Sequence, residues 1–299
     1  MLLKKFELNY RNLPILNQPK SMKTSEELKQ IVKEKYGQIA SQNKEQNESS
    51  CCGSGCCSTD VANIMNDDYS KLQGYNPDAD LGLGCGLPTE FAKIKKGDTV
   101  LDLGSGAGND CFVARAMTGE TGKIIGVDMT EAMIQKARDN SEKLGFNNVE
   151  FRLGELENLP IGPSRIDVVV SNCVLNLVPD KRQAFNEIFR VLKAGGHFSI
   201  SDVVIVGELP ENLKEASEMY AGCVAGALQK EEYLAIIRDV HFENITIQKE
   251  KVITIPDDIL QAYLSEEQLA FYKSSGVGIF SITVYAEKAK ECCGTDCCK

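Results

Sequence analysis

The sequence predicts an α/β fold with a mostly parallel sheet, an antiparallel edge strand and a smaller helix-rich region towards the C-terminus. Three observations support this prediction. From residue 97 onward, short apolar runs alternate with amphipathic helical patterns. A glycine-rich turn at residues 104–108 separates the first of these runs from the next helical pattern. Two late strand-like segments, 244–248 and 280–286, could pair antiparallel at the edge of the sheet.

The strand and helix patterns follow one another in a regular order. Apolar residues recur with a period of two in strands and about 3.6 in helices, so the two patterns can be told apart. The predicted strands are 99–103, 123–128, 149–153, 166–171 and 197–204, and the predicted helices between them are 111–117, 131–144 and 183–192. Strands separated by helices in this way form a parallel sheet with right-handed crossovers.

The regions on either side of this core have a different character. A first helix begins at the cap-like sequence Thr24-Ser-Glu-Glu and continues through Tyr36. Residues 41–60 lack periodicity, which indicates a mobile loop, whereas 211–227 and 231–240 are helical patterns. We therefore expect four regions: 1–60, an N-terminal helix and Cys-rich mobile loop; 61–206, the cofactor-binding α/β domain; 207–288, a C-terminal cap that binds the substrate; and 289–299, a Cys-rich tail.

Composition argues against several classes of function. The 299 residues, 42% of them hydrophobic, are sufficient for a buried core. A formal net charge of -10 disfavours nucleic acid and anionic membrane as partners. Residues 1–20 lack the apolar core of a signal peptide, and no run approaches the roughly 18 apolar residues of a membrane helix. We expect a cytoplasmic monomer with neither a nucleic-acid nor a membrane partner.

Cysteine is the most unusual component of the chain. Twelve cysteines make up about 4% of the residues, which is below the ~8–10% of a disulfide-built scaffold, so thiols are the expected state. The two histidines, His197 and His241, have no zinc-site spacing. Eight cysteines form two clusters of one design: Cys51, Cys52, Cys56, Cys57, and Cys292, Cys293, Cys297, Cys298. These accessory thiols could capture a soft substrate, bind Cu(I), scavenge oxidants, or be an incidental thiol-rich tail.

Two further cysteines lie where a structural thiol is not obviously needed. Cys173 follows the apolar strand 166–171, at the carboxyl end where open parallel sheets bind ligands. Cys223 lies among the small residues of 220–227. Either one alone could be a small buried side chain, and Cys111 fits such a packing role although its helix-start position would lower a thiol pKa. Two thiols over one pocket favour a thiophilic ligand.

The glycine-rich turn is typical of a nucleoside-binding loop. Glycine lets the backbone turn tightly and approach a ligand. The pattern is G-x-G-x-G, with Asn109 where a dinucleotide fingerprint has its third glycine, which favours a ligand without a pyrophosphate. Asp128 lies 24 residues after Gly104, a position suited to ribose hydroxyls. The alternative is an ordinary strand-to-helix turn without a ligand. The strand, the three glycines and the acidic residue that ends the second strand together argue against this alternative.

Residues 100–140 resemble class I S-adenosylmethionine-dependent methyltransferases, whose fold is Rossmann-like. More narrowly, the motifs Gly-Cys85-Gly, Ser-Asn-Cys173-Val-Leu-Asn-Leu and Gly-Cys223-Val-Ala-Gly are similar to those of arsenite methyltransferases, and the likeness extends over about residues 28–251. The resemblance implies methylation of arsenite and methylated arsenite, an arsenic detoxification. It further implies that Cys173 and Cys223 bind arsenic and that Cys85 takes part in turnover.

The chemistry would suit these thiols. Trivalent arsenic exchanges hydroxide for thiolate, and its remaining lone pair could attack a methyl group in line at about 3–3.5 Å without a catalytic base. Methylation makes arsenic pentavalent, and a cysteine pair could return two electrons by forming a disulfide that thioredoxin or glutathione reduces. Cys85 is the candidate for this step, because Gly84 and Gly86 would let its loop swing between partners.

We expect S-adenosylmethionine to contact the glycine turn and the ends of the neighbouring strands. Asp102 could face the cationic amino-acid end of the cofactor, and Gly154 and Glu155 would border the adenine. The expected cofactor residues are Asp102, Gly104, Ser105, Gly106, Gly108, Asp128, Met129, Gly154, Glu155 and Asn172.

Two rival functions stay open on the same residues. A methyltransferase for a small organic acceptor, such as a quinone-pathway ring, would not need Cys173 or Cys223. A soft-metal sequestration protein on a retired methyltransferase scaffold would bind metal without methyl transfer, and the intact glycine turn and Asp128 count against it.

Overall fold

The computed structural model describes residues 24–41, 67–210, 226–255 and 257–290, together with Leu213 and Val224. The helices are α1 Ser25–Ala40, α2 Pro88–Phe91, α3 Asn109–Thr118, α4 Glu131–Lys143, α5 Lys181–Val191, α6 Lys230–Asp239, α7 Asp257–Tyr263 and α8 Glu266–Ser275. The strands are β1 Thr99–Leu103, β2 Lys123–Asp128, β3 Val149–Leu153, β4 Ile166–Asn172, β5 Leu192–Val206, β6 Phe242–Val252 and β7 Gly278–Lys288.

The seven strands form one sheet in the order β3-β2-β1-β4-β5-β7-β6. Strands β1 to β5 pair in parallel, whereas β7 runs antiparallel to both β5 and β6. The predicted Rossmann-like fold, with a mostly parallel sheet and an antiparallel edge, is therefore confirmed. The strand order reverses between β1 and β4, and in open α/β sheets such a switch point is where ligands bind.

The sheet carries a hydrophobic core on each face because side chains alternate along its strands. In β1, Leu101 and Leu103 pack into one core and Val100 into the other. Helix α5 covers the first core with Ala184 and Ile188, which lie four residues apart on one face. Each large aliphatic side chain buried in this way stabilises the fold by about 1.5–3 kcal/mol. The two cores hold the strand ends in fixed positions.

Several boundaries differ from the predicted ones. Helix α3 begins at Asn109, two residues before the predicted start at 111, because Gly108 in the left-handed conformation forms its N-cap. Strand β5 begins at Leu192 directly after α5, whereas the prediction began at 197. Strand β6 is longer than the predicted 244–248. The predicted helix 211–227 lies mostly outside the described residues.

The C-terminal part of the chain completes the sheet and adds helices to it. Strands β6 and β7 pair with each other, and β7 also pairs with β5. Helices α7 and α8 connect them, and α8 starts with a capping box between Ser265 and Gln268. The predicted smaller helix-rich region is therefore present. None of the helices in the described ranges is long and apolar enough to cross a bilayer.

Candidate active site

A cleft of about 1110 Å³, including its open mouth, lies at the carboxyl ends of β1, β2 and β4. Eight of the ten residues predicted to contact the cofactor line it: Asp102, Gly104, Ser105, Gly106, Asp128, Met129, Gly154 and Asn172. Cys173 lines the same cleft. The fold therefore brings most of the predicted cofactor residues and one predicted arsenic-binding thiol to a single place.

Gly108 and Glu155, the other two predicted cofactor residues, lie beside the cleft with different contacts. A Cβ on Gly108 would lie 2.9 Å from the rings of Phe112 and Phe151, so this glycine allows α3 to pack against the sheet. The Glu155 carboxylate accepts a hydrogen bond from the Lys29 ammonium at 2.8 Å, which holds the pKa of Glu155 below its usual value. Glu155 therefore ties α1 to the rim of the cleft.

Helix α1 forms one wall of the cleft. Lys29, Val32 and Tyr36 line it. Lys29 forms ion pairs with Glu155 at 2.8 Å and Glu157 at 3.3 Å. The spacing of the three wall residues, three and then four positions, places them on one helix face. This spacing is visible in the sequence, but it does not indicate which surface the face covers, and the wall was not among the predicted site residues.

Glycine is required at positions 104 and 106 for different reasons, although both residues have a positive φ, which is +65° at Gly104 and +50° at Gly106. A Cβ on Gly104 would lie 2.5 Å from both methyl carbons of Val174, whereas a Cβ on Gly106 would meet no atom within 4 Å. Gly104 therefore allows two chain segments to approach closely. Gly106 leaves its backbone open to the cleft, where a ligand can approach it.

The polar groups around the turn fit a nucleoside cofactor. The Asp128 carboxylate accepts hydrogen bonds from the N–H groups of Gly106 at 3.0 Å and Thr130 at 2.8 Å, and its other lone pairs stay available for ribose hydroxyls. The Ser105 Oγ and Asn109 Oδ1 atoms are buried without a hydrogen-bond partner among the described residues. Such atoms call for a partner, and a bound ligand can supply it.

Two buried carboxyl groups lie at the back of the cleft. Burial, and then the charge of Asp110, raise the pKa of Asp102 well above its usual value. Burial raises the pKa of Asp110 to about 6, and the Tyr69 hydroxyl, which donates to it at 2.8 Å, opposes the shift. A cationic ligand group would favour the ionised form of both carboxyls. Neither Tyr69 nor Asp110 was predicted: Asp110 is one acidic residue in a first helical turn, and no pattern marks Tyr69.

The thiol of Cys111 lies behind Asp102. It donates to Asp102 Oδ2 at 3.2 Å. Burial and the nearby carboxylate raise the pKa of Cys111, so the expected effect of its helix-start position is wrong. Desolvation outweighs the helix terminus here because the side chain is fully buried. The contacts of Cys111 agree with the packing role preferred from the sequence.

Cys85 and Cys173 lie in one buried cluster with Val203 and Ile279. They are 0% and 3% exposed. Cys173 has a φ of +61°, a conformation that costs a non-glycine residue about 1–2 kcal/mol. Its N–H donates to the Ser201 carbonyl at 2.7 Å. Strained backbone of this kind is common where the position of a side chain matters for function.

The remaining predicted thiols fall on other parts of the chain. Cys223 and the accessory thiols lie outside the described residues: Cys51, Cys52, Cys56, Cys57, Cys292, Cys293, Cys297 and Cys298. Among the residues that the structure describes, no group of three or more His, Cys, Asp or Glu could hold a metal ion. The structure therefore brings together two of the three predicted arsenic ligands, Cys85 and Cys173.

A third buried carboxyl, that of Asp202, belongs to the residue after Ser201, whose carbonyl accepts the N–H of Cys173. Burial raises the pKa of Asp202 to about 7, while the Tyr233 hydroxyl, donating at 2.8 Å, and the Lys181 ammonium oppose the shift. Burial is also the main cause that raises the pKa of Tyr233, with smaller contributions from Asp202 and from Cys85 and Cys173.

Comparison with known proteins agrees with this geometry. A family model for a methyltransferase domain matches residues 94–241. An arsenite methyltransferase of Halobacterium salinarum is 42% identical over 239 residues, which are 74% of this chain and 59% of that protein. An arsenite methyltransferase of Aquipseudomonas alcaligenes is 31% identical over 251 residues, 82% of this chain and 70% of that protein.

A crystal structure provides a further comparison. The arsenic(III) S-adenosylmethionine methyltransferase of Chlamydomonas reinhardtii matches with a TM-score of 0.59 and 35% identity, over 69% of this chain and 68% of that one. The chain spans only 59% of the length of the Halobacterium relative. The identity and coverage of the Aquipseudomonas relative, together with the shared fold, show that this chain belongs to the arsenite methyltransferase family.

Proposed function

We propose that the protein transfers the methyl group of S-adenosylmethionine to trivalent arsenic that is held by cysteine thiolates. The observation that carries this proposal is the position of Cys173, which lines the same cleft as Gly106 and Asp128. Arsenite is the substrate that the names of the relatives support, and methylated arsenite would be the substrate of a further methylation. Removal of free arsenite by methylation would serve detoxification.

The residues of the cleft suit the cofactor. When bound, S-adenosylmethionine supplies an electrophilic methyl group on a positively charged sulfur. The Asp128 carboxylate would hold the ribose hydroxyls, and the open backbone at Gly106 would lie against the nucleoside. Asp102, at the back of the cleft, would face the cationic end. Helix α1 would cover the site and exclude water, because its Tyr36 lines the cleft wall.

The thiols would hold the arsenic. Each protein thiol that binds replaces one hydroxide of arsenite and releases one water, so charge and atoms balance. We assign this binding to Cys173 and Cys223, with Cys85 as a third ligand or as the redox partner. Soft thiolates are the preferred ligands for such an atom. Arsenic held in this way would keep its lone pair free for the electrophilic methyl group that the cofactor supplies, so no residue of the site would have to remove a proton.

The same cluster would supply electrons. Methylation converts trivalent arsenic to the pentavalent state, and its return to the trivalent state takes two electrons. Cys85 and Cys173 could give them by forming a disulfide, and a thiol reductant such as thioredoxin or glutathione would then restore both thiols by exchange. Their burial in one cluster supports this assignment.

The decisive experiment follows labelled methyl from S-adenosylmethionine to arsenite in the presence of reduced thiol. The intact chain should transfer the label, and Cys173→Ser should lose nearly all activity. Cys111→Ser is the matched control, because it replaces another buried thiol and keeps a donor for Asp102. It should stay largely active. Equal activity of the Cys173→Ser variant would overturn the role of this thiol in holding arsenic. No transfer to arsenite by the intact chain would favour an organic acceptor instead, and arsenite binding without transfer would favour sequestration.

A further inference from the structure

The carboxamide of Asn172 contacts the loop that carries Cys85. Its Oδ1 atom accepts hydrogen bonds from the backbone N–H groups of Cys85 at 3.0 Å and Gly86 at 3.3 Å. Its Nδ2 atom donates to the carbonyl of Gly86 at 2.9 Å. The side chain thus pairs with donors and acceptors of the loop, much as a neighbouring strand would.

A second set of contacts fixes which end of the carboxamide faces Cys85. The Nδ2 atom also donates to the Tyr69 hydroxyl oxygen at 2.5 Å and lies 3.4 Å from Asp110 Oδ2. Tyr69 in turn donates its own proton to Asp110 at 2.8 Å. The groups around Nδ2 are therefore acceptors, and an oxygen in its place would face them unfavourably.

The Cys85 loop is also packed closely on its other sides. A Cβ on Gly84 would lie 2.6 Å from Asn172 Nδ2, and one on Gly86 would lie 2.5 Å from Ser201 Oγ. The Ser281 hydroxyl donates to the Cys85 carbonyl at 2.6 Å. The two glycines thus allow close packing in this structure, and the swinging motion expected from the sequence stays a prediction.

Asn172 joins this loop directly to the second thiol. It is the last residue of β4 and pairs with Ser201 of β5, and Cys173 is the next residue in the chain. We propose that Asn172 is a positioning residue whose carboxamide holds Cys85 beside Cys173, so that the two thiols act as a pair. This role rests on the proposed function, in which that pair serves arsenic.

The test measures how readily Cys85 and Cys173 form a disulfide with each other in the full-length chain, without cofactor or arsenic. Oxidised glutathione takes two electrons from the two protein thiols and becomes two reduced glutathiones, while the thiol protons pass to the products. The equilibrium gives the effective concentration of one thiol toward the other. Mass spectrometry of the Cys85–Cys173 linked peptides separates this pair from the other cysteines.

Two variants probe the carboxamide. Asn172→Ala should lower the effective concentration at least about tenfold, because three hydrogen bonds to the Cys85 loop are lost and each contributes about fivefold. Asn172→Asp keeps an acceptor for Cys85 but loses the donor toward Tyr69 and Asp110. Its effective concentration, relative to the native chain at the same pH, should be low at pH 8. It should recover as the pH falls, because the new carboxyl then becomes protonated and can donate.

Asn148→Ala is the matched control. Asn148 Nδ2 donates to the carbonyls of Gly119 and Gly122 in a loop that does not border the cleft, so its truncation removes similar contacts without touching either thiol. It should leave the effective concentration unchanged. If Asn172→Ala does not fold, the pH dependence of the isosteric Asn172→Asp variant decides.

The outcomes separate the two proposals. A native chain that forms no Cys85–Cys173 disulfide would overturn the positioning role, and so would native-like values in both Asn172 variants. Methyl transfer to arsenite is measured separately on the native chain. A chain that has the Asn172 effect but methylates no arsenite would contradict the proposed function and leave the positioning role intact.

Discussion

Alanine at Gly104 should destabilise the fold by about 2–5 kcal/mol. The positive φ of +65° costs alanine about 1–2 kcal/mol. Its Cβ would lie 2.5 Å from both methyl carbons of Val174, and relieving such overpacking typically costs about 1–3 kcal/mol. For a chain of this size each kcal/mol lowers the melting temperature by about 2 °C, so a decrease of about 4–10 °C is expected. Thermal unfolding followed by circular dichroism measures it.

Alanine at Gly106 should have the opposite effect, with little loss of stability but much weaker binding of the cofactor. Its φ of +50° carries a similar strain, but the added Cβ would meet no protein atom within 4 Å, so the melting temperature should fall by no more than about 4 °C. The methyl group would instead occupy open space in the cleft. Affinity for S-adenosylhomocysteine, measured by calorimetric titration, should fall at least about tenfold, which corresponds to about 1.4 kcal/mol.

The Val174→Ala background provides the control for the clash. If the two Val174 methyl groups cause most of the overpacking, the Gly104→Ala cost in this background should shrink towards the backbone strain of about 1–2 kcal/mol, with a small remainder from the Cβ of residue 174 at 3.0 Å. A Gly104→Ala variant as stable as Gly106→Ala would refute the packing argument. Native affinity in Gly106→Ala would refute the assignment of the open backbone to the cofactor.

Three further predictions concern groups around the cleft and the tail. Burial raises the folded-state pKa of Asp202 from its ordinary 3.8 to about 7, so the contribution of this group to stability should fall as the pH rises from 4 to 7. Urea unfolding measures the free energy of unfolding of the native chain and of Asp202→Asn at each pH. The variant should gain stability relative to the native chain as the pH rises from 4 to 7. A difference that does not change with pH would contradict the raised pKa of Asp202. Lys29→Ala should weaken S-adenosylhomocysteine binding by up to about fivefold, because a partly exposed ion pair contributes at most ~1 kcal/mol. The loss should be smaller at high salt, which screens the ion pair. A loss that does not depend on salt would argue against the ion pair as its cause. A chain without residues 291–299 keeps the Ala289 carbonyl that accepts the Gly195 N–H. It should methylate more slowly at low arsenite and normally at saturation, and identical rates at low arsenite would discard a capture role for the tail.

Much of the fold could be predicted because its elements have strong local signals. The strand at β4 is a run of apolar residues, and the structure extends the predicted 166–171 by a single residue, Asn172. The start of β5 was missed because α5 ends at Val191 and the strand begins at the next residue. No turn residue separates the helix from the strand, and the glycines at 195 and 196 lie within the strand itself.

The candidate site was predictable only where one segment carries the signal. The glycine turn and Asp128 have a recognisable spacing within one strand-helix-strand unit. Tyr69 and Asp110 meet across 41 residues, and Asn172 contacts Cys85 across 87. Such contacts depend on how strands and loops pack in three dimensions, and a buried asparagine has no periodic pattern that would reveal its partner.

The strand register links the thiol to the cofactor turn. Leu103, at the end of β1, pairs with Ser171 of β4, so the two strands end at nearly the same level. The glycine turn follows one strand, and Cys173 follows the other. Val174 then packs against Gly104, at a distance that would exclude any larger residue there. Because a register slip by one residue would reverse every side chain of β4, the position of Cys173 beside the cleft depends on the sheet itself. A thiol placed by the sheet in this way would keep a fixed relation to a cofactor bound at the glycine turn.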